Sequence, residues 1–329
     1  MSLNCHSSSV SRNVVRSTRR CVVVVMSGSR LSLFLADMNT MSEFIPKFET
    51  LAAGVLAALY VALLIVETQF PLRQPKRSKS KRFLVNISLS GLAVVMGAYI
   101  VAPVALALAM RSTETSVGLL NMLSWPPSFR FIVGFLAMDL TFYYWHRANH
   151  VFPIFWRFHN VHHVDQDLDV TSSLRFHFGE VLCSVCFRAL QVYLLGISVF
   201  TYLAYEVAFQ GATLFHHSNV RLPIKLERAL NKVIVTPRMH GIHHSIVKDE
   251  TNSNYSVIFR WWDVLHGTLR LNTKQTDVII GVPAYMDAHD NKLRNLLILP
   301  FRKQKEYWRS TDGKQPKRVS VEAKNILLE

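Results

Sequence analysis

Residues 131–163 read FIVGFLAMDLTFYYWHRANHVFPIFWRFHNVHH, a stretch in which an apolar run ends in five histidines. Residues 131–145 carry a single charged side chain, Asp139. Such a run is typical of a helix that is buried or spans a membrane, and the histidines then begin where that helix ends. The stretch therefore predicts a helical protein that gathers imidazoles at one end of its helices.

Three further apolar runs flank this stretch. Residues 51–66 and residues 83–110 contain no charged side chain, and residues 181–215 contain two, Arg188 and Glu206. Because about 20 apolar residues cross a bilayer, each shorter run suits one span and residues 181–215 suit a hairpin of two. Half of the residues are apolar and only 18 % are charged. The sequence thus predicts an all-α, multi-pass integral membrane bundle.

The basic residues predict an orientation. Residues 73–82, RQPKRSKSKR, hold six Lys or Arg. By contrast, only Arg111 and Arg130 flank the loop between the apolar runs at residues 83–110 and 131–145. The positive-inside rule therefore places residues 73–82 in the cytoplasm, and the order of spans brings every histidine group to that same side. The membrane would be a bacterial inner membrane or the endoplasmic reticulum. Basic clusters beside spans favour anionic headgroups, and no nucleic-acid partner is expected because no nucleic-acid motif accompanies them.

The chain is expected to divide into four segments. Residues 1–40 are predicted to be a poorly structured extension, with Met38 or Met41 as the native start. Residues 41–130 are predicted to hold N-terminal transmembrane helices, and residues 131–271 the histidine-bearing catalytic domain. Residues 272–329 read as a polar, basic C-terminal segment.

The histidines are clustered in one region of the sequence. Twelve of the fourteen lie between His146 and His266, in one HxxxH box (HRANH), two HxxHH boxes (HNVHH and HGIHH), the pair His216–His217 and isolated positions. Residues three and four apart share one face of a helix. Eight crowded imidazoles require a cation to organise them, and because one metal takes three or four protein ligands, eight imply two metals. Imidazole suits iron, zinc and copper, so the residues leave the metal open.

The segments HRANH, FHNVHH, LRFHFGE, FHHSNVRLP, TPRMHGIHHS and WWDVLHGT, spread over residues 131–271, resemble the membrane-bound fatty acid hydroxylase/sterol desaturase superfamily. The resemblance implies a non-haem di-iron centre, with two iron ions, and O₂ as co-substrate for attack on an unactivated C–H bond of a lipid. No catalytic residue beyond the metal centre is implied. Carried over by position, the implied metal ligands are His146, His150, His159, His162, His163, His217, His240, His243 and His244.

Carboxylates and amides are expected to hold the imidazole nitrogens that face away from the metals. The candidates for this supporting role are Asp139, His177, Glu180, His216, Asn219 and Asp263. Asp139 precedes His146 by seven residues on the same helix, and an acid inside a span usually has a partner. His177 belongs to LRFHFGE, which resembles the family's RxHPxE element with Phe178 in place of proline, so a position beside the centre or the substrate is expected.

The resemblance implies a membrane lipid as substrate and a separate electron donor, either a cytochrome or a ferredoxin with its reductase. Hydroxylation and desaturation both begin with hydrogen abstraction, and the sequence leaves both open. A membrane zinc hydrolase is an alternative, but it needs a general base such as the Glu of HExxH, and Arg147 holds that position. A haem- or metal-binding membrane protein without catalysis is the other alternative. The sequence leaves the oligomeric state open.

Overall fold

A computed structural model describes residues 28–318, with side chains from residue 43 onward. Within these residues the chain is helical, and its extended pairings are isolated bridges, not strands. The predicted all-α class is therefore confirmed. The helices are α1 (Gly28–Gln69), α2 (Lys79–Met96), α3 (Ala102–Thr115), α4 (Pro127–Val151), α5 (Pro153–His163), α6 (Phe178–Leu195), α7 (Val199–His217), α8 (Ile224–Leu230), α9 (Pro237–His243), α10 (Lys248–Thr251), α11 (Trp261–Leu265) and α12 (Leu293–Ile298).

The chain forms two compact units, one up to Val55 and one from Leu56 onward. The described part of the first unit belongs to α1. The extension predicted at residues 1–40 lies largely outside the described residues, and its described part, residues 28–40, is helical within α1. The second unit holds the remaining helices, and the histidines of the boxes all belong to it.

Three helical segments of the described chain are long and apolar enough to cross a membrane: Glu43–Gln69, Lys79–Met122 and Phe178–Leu195. The second is nearly continuous, because a π-helical turn at Gly97–Val101 joins α2 to α3 and Pro103 lies in the first turn of α3. The sequence also predicted spans in what are now α4 and α7, and neither meets the same criterion. Polar side chains explain the difference, since α4 carries the fully buried Asp139 and α7 carries Glu206.

The hairpin predicted for residues 181–215 is confirmed as α6 and α7. The turn between them depends on Gly196, whose φ of +73° is left-handed and favours glycine. A second glycine lies against it, because a Cβ on Gly118 would approach the Gly196 Cα to 2.4 Å. The loop after α3 therefore packs backbone to backbone on the hairpin turn, which returns α7 to the end of the bundle that α6 left.

The C-terminal segment contributes to the core beside α5. One buried cluster joins Leu89 of α2 and Trp156 of α5 to later residues that include Val282, Tyr285 and Leu296. The indole of Trp308 stacks on Trp156 with ring centroids 5.8 Å apart. Residues 282–308 therefore pack into the same unit as the helix that carries HNVHH.

Candidate metal centre

The histidine boxes lie at the C-terminal ends of four helices that meet at one end of the bundle. HRANH ends α4, HNVHH ends α5, the pair His216–His217 ends α7, and HGIHH forms the last turn of α9. The short helices α5 and α9 each begin at a proline, a residue whose fixed φ suits the first helical position. Proline thus starts each HxxHH helix shortly before its histidines.

The nine histidines gather in two groups, and within each group one ligand atom per residue lies within 4.8 Å of all the others. The first group is His146, His150, His159, His163 and His243, and the second is His162, His217, His240 and His244. The structure therefore brings together every residue that the resemblance implied as a metal ligand.

Each HxxHH box is divided between the two groups. The first box gives His159 and His163 to one group and His162 to the other, while the second gives His243 to the first group and keeps His240 and His244 in the second. With about 100° per residue on a helix, positions i and i+4 differ by about 40°, whereas position i+3 points about 60° to the other side. The histidines at i and i+4 of a box thus belong to one group, and the histidine at i+3 belongs to the other group.

The spacing of the ring nitrogens fits ligands that share a metal ion. In the second group, His217 Nε2 lies 3.0 Å from His162 Nε2 and 3.0 Å from His240 Nε2. In the first group, His159 Nε2 lies 3.2 Å from His163 Nε2. With a metal–nitrogen bond of about 2.1 Å, adjacent ligands stand about 3.0 Å apart at right angles and about 3.4 Å apart in a tetrahedron.

Burial favours the neutral imidazole at one histidine of each HxxHH box, His163 and His243. It lowers the pKa of His163 well below the usual value, and the neighbouring His244 lowers it further. Burial and the adjacent His146 likewise depress the pKa of His243. The Nε2 atom of His243 and both ring nitrogens of His150 are buried without a hydrogen-bond partner among the described residues. An unsatisfied buried polar atom costs about 1–3 kcal/mol, and a metal that accepts these lone pairs would remove that cost.

Hydrogen bonds to the opposite nitrogen orient several rings. The pairs are His146 Nδ1 to the Tyr255 carbonyl (2.8 Å), His243 Nδ1 to the Ser253 carbonyl (2.7 Å), His217 Nδ1 to the Thr213 carbonyl (2.8 Å) and His159 Nδ1 to Glu180 Oε1 (2.9 Å). Because carbonyl and carboxylate oxygens only accept, each Nδ1 carries the proton. Each Nε2 is then left with the lone pair that a metal requires.

Three of the expected supporting residues lie beside the groups. Glu180 contacts His159 directly, as described above. His216 packs on His240 with ring centroids 4.1 Å apart. Asp263 is linked to His146 through Tyr255, because its carboxylate accepts the backbone N–H of Tyr255 at 2.8 Å. It thereby fixes the segment whose carbonyl accepts from His146.

The other three expected residues have partners elsewhere in the described structure. Asp139 accepts the indole N–H of Trp262 at 2.7 Å and so attaches α4 to α11. His177 caps the start of α6 by accepting the Gly179 N–H at 3.0 Å. Asn219 exchanges hydrogen bonds with the backbone of Arg73. None of them contacts a histidine of either group among the described residues, and their hydrogen bonds hold the surrounding segments.

Two arginines beside the boxes were not predicted as part of this site. The guanidinium of Arg73 lies across Gly241 in HGIHH, where a Cβ would collide with it, and its Nη2 donates to the Pro237 carbonyl at 3.1 Å. Arg82 pairs with Asp165, two residues after His163, with Nη2 and Oδ2 2.9 Å apart. From the sequence, both arginines were interpreted only as basic residues of a loop. Their contacts place residues 73–82 at the same end of the bundle as the boxes.

Comparison with known proteins shows what this part of the chain is similar to. The sequence profile described as "Fatty acid hydroxylase" matches residues 131–268. The ornithine lipid hydroxylase OlsE of Rhizobium tropici is 34% identical over 160 residues, which are 48% of this chain and 47% of that protein. Human alkylglycerol monooxygenase is 25% identical over 161 residues, which are 49% of this chain and 34% of that protein. Human cholesterol 25-hydroxylase is 28% identical over 138 residues, 41% of this chain and 49% of that protein.

No solved structure shows a significant match to the chain. The chain spans about half the length, or less, of the curated relatives it matches. The profile covers the boxes from HRANH in α4 to HGIHH in α9 and ends shortly beyond α11. Through residues 131–268, the chain is similar to the fatty acid hydroxylase family.

Proposed function

We propose that this protein is a membrane-bound oxygenase that hydroxylates an unactivated C–H bond of a lipid at a di-iron centre. The observation that carries the proposal is the convergence of nine histidines into a group of five and a group of four. Two such groups suit two metal ions, and imidazole is a ligand that iron accepts. The lipid hydroxylases and monooxygenases among the relatives support this chemistry.

The reaction takes R–H, O₂, two electrons and two protons to R–OH and water. Bound iron would supply the activation of O₂ and the cleavage of the strong C–H bond. The protein residues bury the imidazoles, orient four of the rings through their Nδ1 partners and exclude water. Eight of the nine histidines are buried, and only His150 is partly exposed. A water-poor site protects a reactive oxidant from side reactions.

Hydroxylation is proposed over desaturation because the three relatives are named as hydroxylases or monooxygenases. Their names cover ornithine lipids, alkylglycerols and cholesterol, so the substrate proposed here is a membrane lipid recognised chiefly through its hydrocarbon. The two electrons would come from a separate cytochrome or from a ferredoxin with its reductase. The site is proposed to face the cytoplasm, since the basic residues 73–82 contact both HxxHH segments and the positive-inside rule places them there.

A zinc hydrolase receives less support from the same contacts. Hydrolysis would need a carboxylate that can accept a proton from water. Among the described residues, the carboxylate that contacts a histidine of the two groups is Glu180, and His159 Nδ1 already donates to it at 2.9 Å. Arg147 holds the place that a general base would take in HExxH.

The test removes one histidine from each group in the full-length protein. His162→Ala and His243→Ala should each lower the iron content and abolish the incorporation of isotopically labelled O₂ into lipid, while membrane insertion is retained. His289→Ala, outside both groups, is the control and should behave as wild type. Full activity in either box variant, or a single zinc per chain with ester hydrolysis, would refute the proposal.

A further inference from the structure

The basic run at residues 73–82 separates by residue type. Its three arginines turn inward and hydrogen-bond to their own chain, as when Arg77 Nε donates to Gln166 Oε1 at 2.6 Å. The inward arginines are Arg73, Arg77 and Arg82. The lysines are exposed, and their side chains form no ion pair or hydrogen bond within the described residues. These outward lysines are Lys76, Lys79 and Lys81. Only the lysines therefore remain available to an external anion.

A cavity of about 420 Å³ lies where α1 ends and α2 begins, with Lys79 in its lining. One wall is apolar and is formed by Leu64, Phe83 and Leu84. Phe83 and Leu84 are 41 % and 64 % exposed, so this wall continues onto the outer surface of the helices. Both helices belong to candidate membrane spans, Glu43–Gln69 and Lys79–Met122. The cavity thus lies between the end of one candidate span and the start of the next.

Two carboxylates in the cavity floor are already engaged. Glu67 accepts the backbone N–H groups of Val170 at 3.0 Å and Asn219 at 2.8 Å. Asp169 pairs with Arg82, with Oδ2 and Nη1 2.5 Å apart. Both carboxylates therefore have hydrogen-bond partners within the protein, and the charged group in the lining that has no partner among the described residues is Lys79.

We propose that this cavity binds the headgroup of an acidic phospholipid. The phosphate would contact Lys79, and an acyl chain would lie along Leu64, Phe83 and Leu84. Lysines beside a span attract anionic lipids, and the cavity volume lies within the range of small-molecule sites. This site is distinct from the two histidine groups, and it does not depend on the proposed oxygenase activity.

The test compares lipid association with the full chain in phosphatidylcholine vesicles. Trace spin-labelled phosphatidylglycerol and spin-labelled phosphatidylcholine report the fraction of each lipid that the protein immobilises. Wild type should prefer phosphatidylglycerol, and Lys79→Gln should lower that preference about fivefold, as one lysine near an anionic surface contributes. Lys225→Gln, an exposed lysine on α8, is the matched control and should leave the preference unchanged.

A second variant separates the cavity from general surface attraction. Thr68→Phe fills the cavity without changing the charge, and it should abolish the preference for phosphatidylglycerol while binding of phosphatidylcholine persists. A preference that survives Thr68→Phe, or that falls equally in Lys225→Gln, would overturn the proposal in favour of diffuse attraction. Displacement of the lipid by inorganic phosphate alone would overturn it in favour of a small-anion site. Equal association of both lipids with wild type would also refute it.

Discussion

Replacing Arg82 by methionine tests whether the ion pairs beside the first HxxHH box stabilise this end of the protein. Arg82 is 8 % exposed, and its Nε and Nη2 atoms donate to the two oxygens of Asp165, each at 2.9 Å. Its Nη1 donates to Asp169 at 2.5 Å. Arg82→Met keeps much of the side-chain volume but leaves both carboxylates without this cation. Asp165 follows His163 by two residues, so the loss would act directly on the histidine segment.

The size of the effect follows from these contacts. Removing one partner of a buried pair typically costs about 3–5 kcal/mol, because the other charge remains buried. Arg175 Nη1 lies 3.5 Å from Asp165 and offsets part of the loss. We therefore expect Arg82→Met to lower the free energy of unfolding by about 3–4 kcal/mol. The exposed pair Arg111–Glu114, 3.9 Å apart, supplies the control, and Arg111→Met should cost no more than about 1 kcal/mol.

The assay is denaturant unfolding of the full-length protein in micelles at neutral pH, with a chelator present so that metal binding does not contribute. The double variant Arg82→Met with Asp165→Asn identifies the cause. If the cost arises from an unpaired Asp165, removing that charge should recover about 2 kcal/mol or more relative to the sum of the single changes. A stability within the range of Arg111→Met, or additive costs in the double variant, would contradict the reasoning.

Two further predictions concern carboxylates, Glu180 beside His159 and Glu250 beside Ser245, which follows HGIHH. Glu180→Ala removes the oxygen that accepts from His159 Nδ1 at 2.9 Å, and metal affinity measured by competition with a chelator should fall about 10–100-fold. Unchanged affinity would contradict that role. Burial raises the pKa of Glu250, but hydrogen bonds from Arg318 and Ser245 more than offset it, so the pKa lies below its usual 4.5. Because the pKa is lowered on folding, the stabilisation is present above about pH 4.5 and is lost as pH falls through the folded value. Wild type should therefore lose its stability advantage over Glu250→Gln in acid, and a pH-independent difference between their unfolding curves would oppose this.

The parts of the fold that depend on local sequence could be predicted. The hairpin of α6 and α7 follows from an apolar run too long for one helix with Gly196 inside it, and the structure has its turn at that residue. The spans predicted in α4 and α7 stay predictions, because polar side chains lower the mean hydropathy of both helices below that of the three candidate spans. Apolarity along a run does not distinguish lipid from protein neighbours, and Asp139 is fully buried against α11. Burial by another helix is a tertiary property, which a run of residues does not contain.

The division of the histidines into two groups also could not be predicted from the sequence. The i, i+3, i+4 pattern indicates one face of one helix, but it does not indicate which metal each ring would approach. That choice depends on how the fold places α5 against α9, and this placement puts His162 in the group of the second box and His243 in the group of the first. Each group therefore contains histidines from both HxxHH boxes, so the complete set of either group requires α5 and α9 to come together.

The basic run shows how one sequence feature can serve two physical roles. A planar guanidinium can satisfy several acceptors at once when it is buried, whereas an ammonium is strongly hydrated and stays in water. Acids at alternate positions, Asp165, Asp167 and Asp169, meet Arg82 in this way. Only the three lysines of the six basic residues then face outward. These three lysines still outnumber the two arginines, Arg111 and Arg130, that flank the loop between the apolar runs at residues 83–110 and 131–145. The positive-inside rule therefore favours the same proposed orientation when only the outward lysines of residues 73–82 are counted.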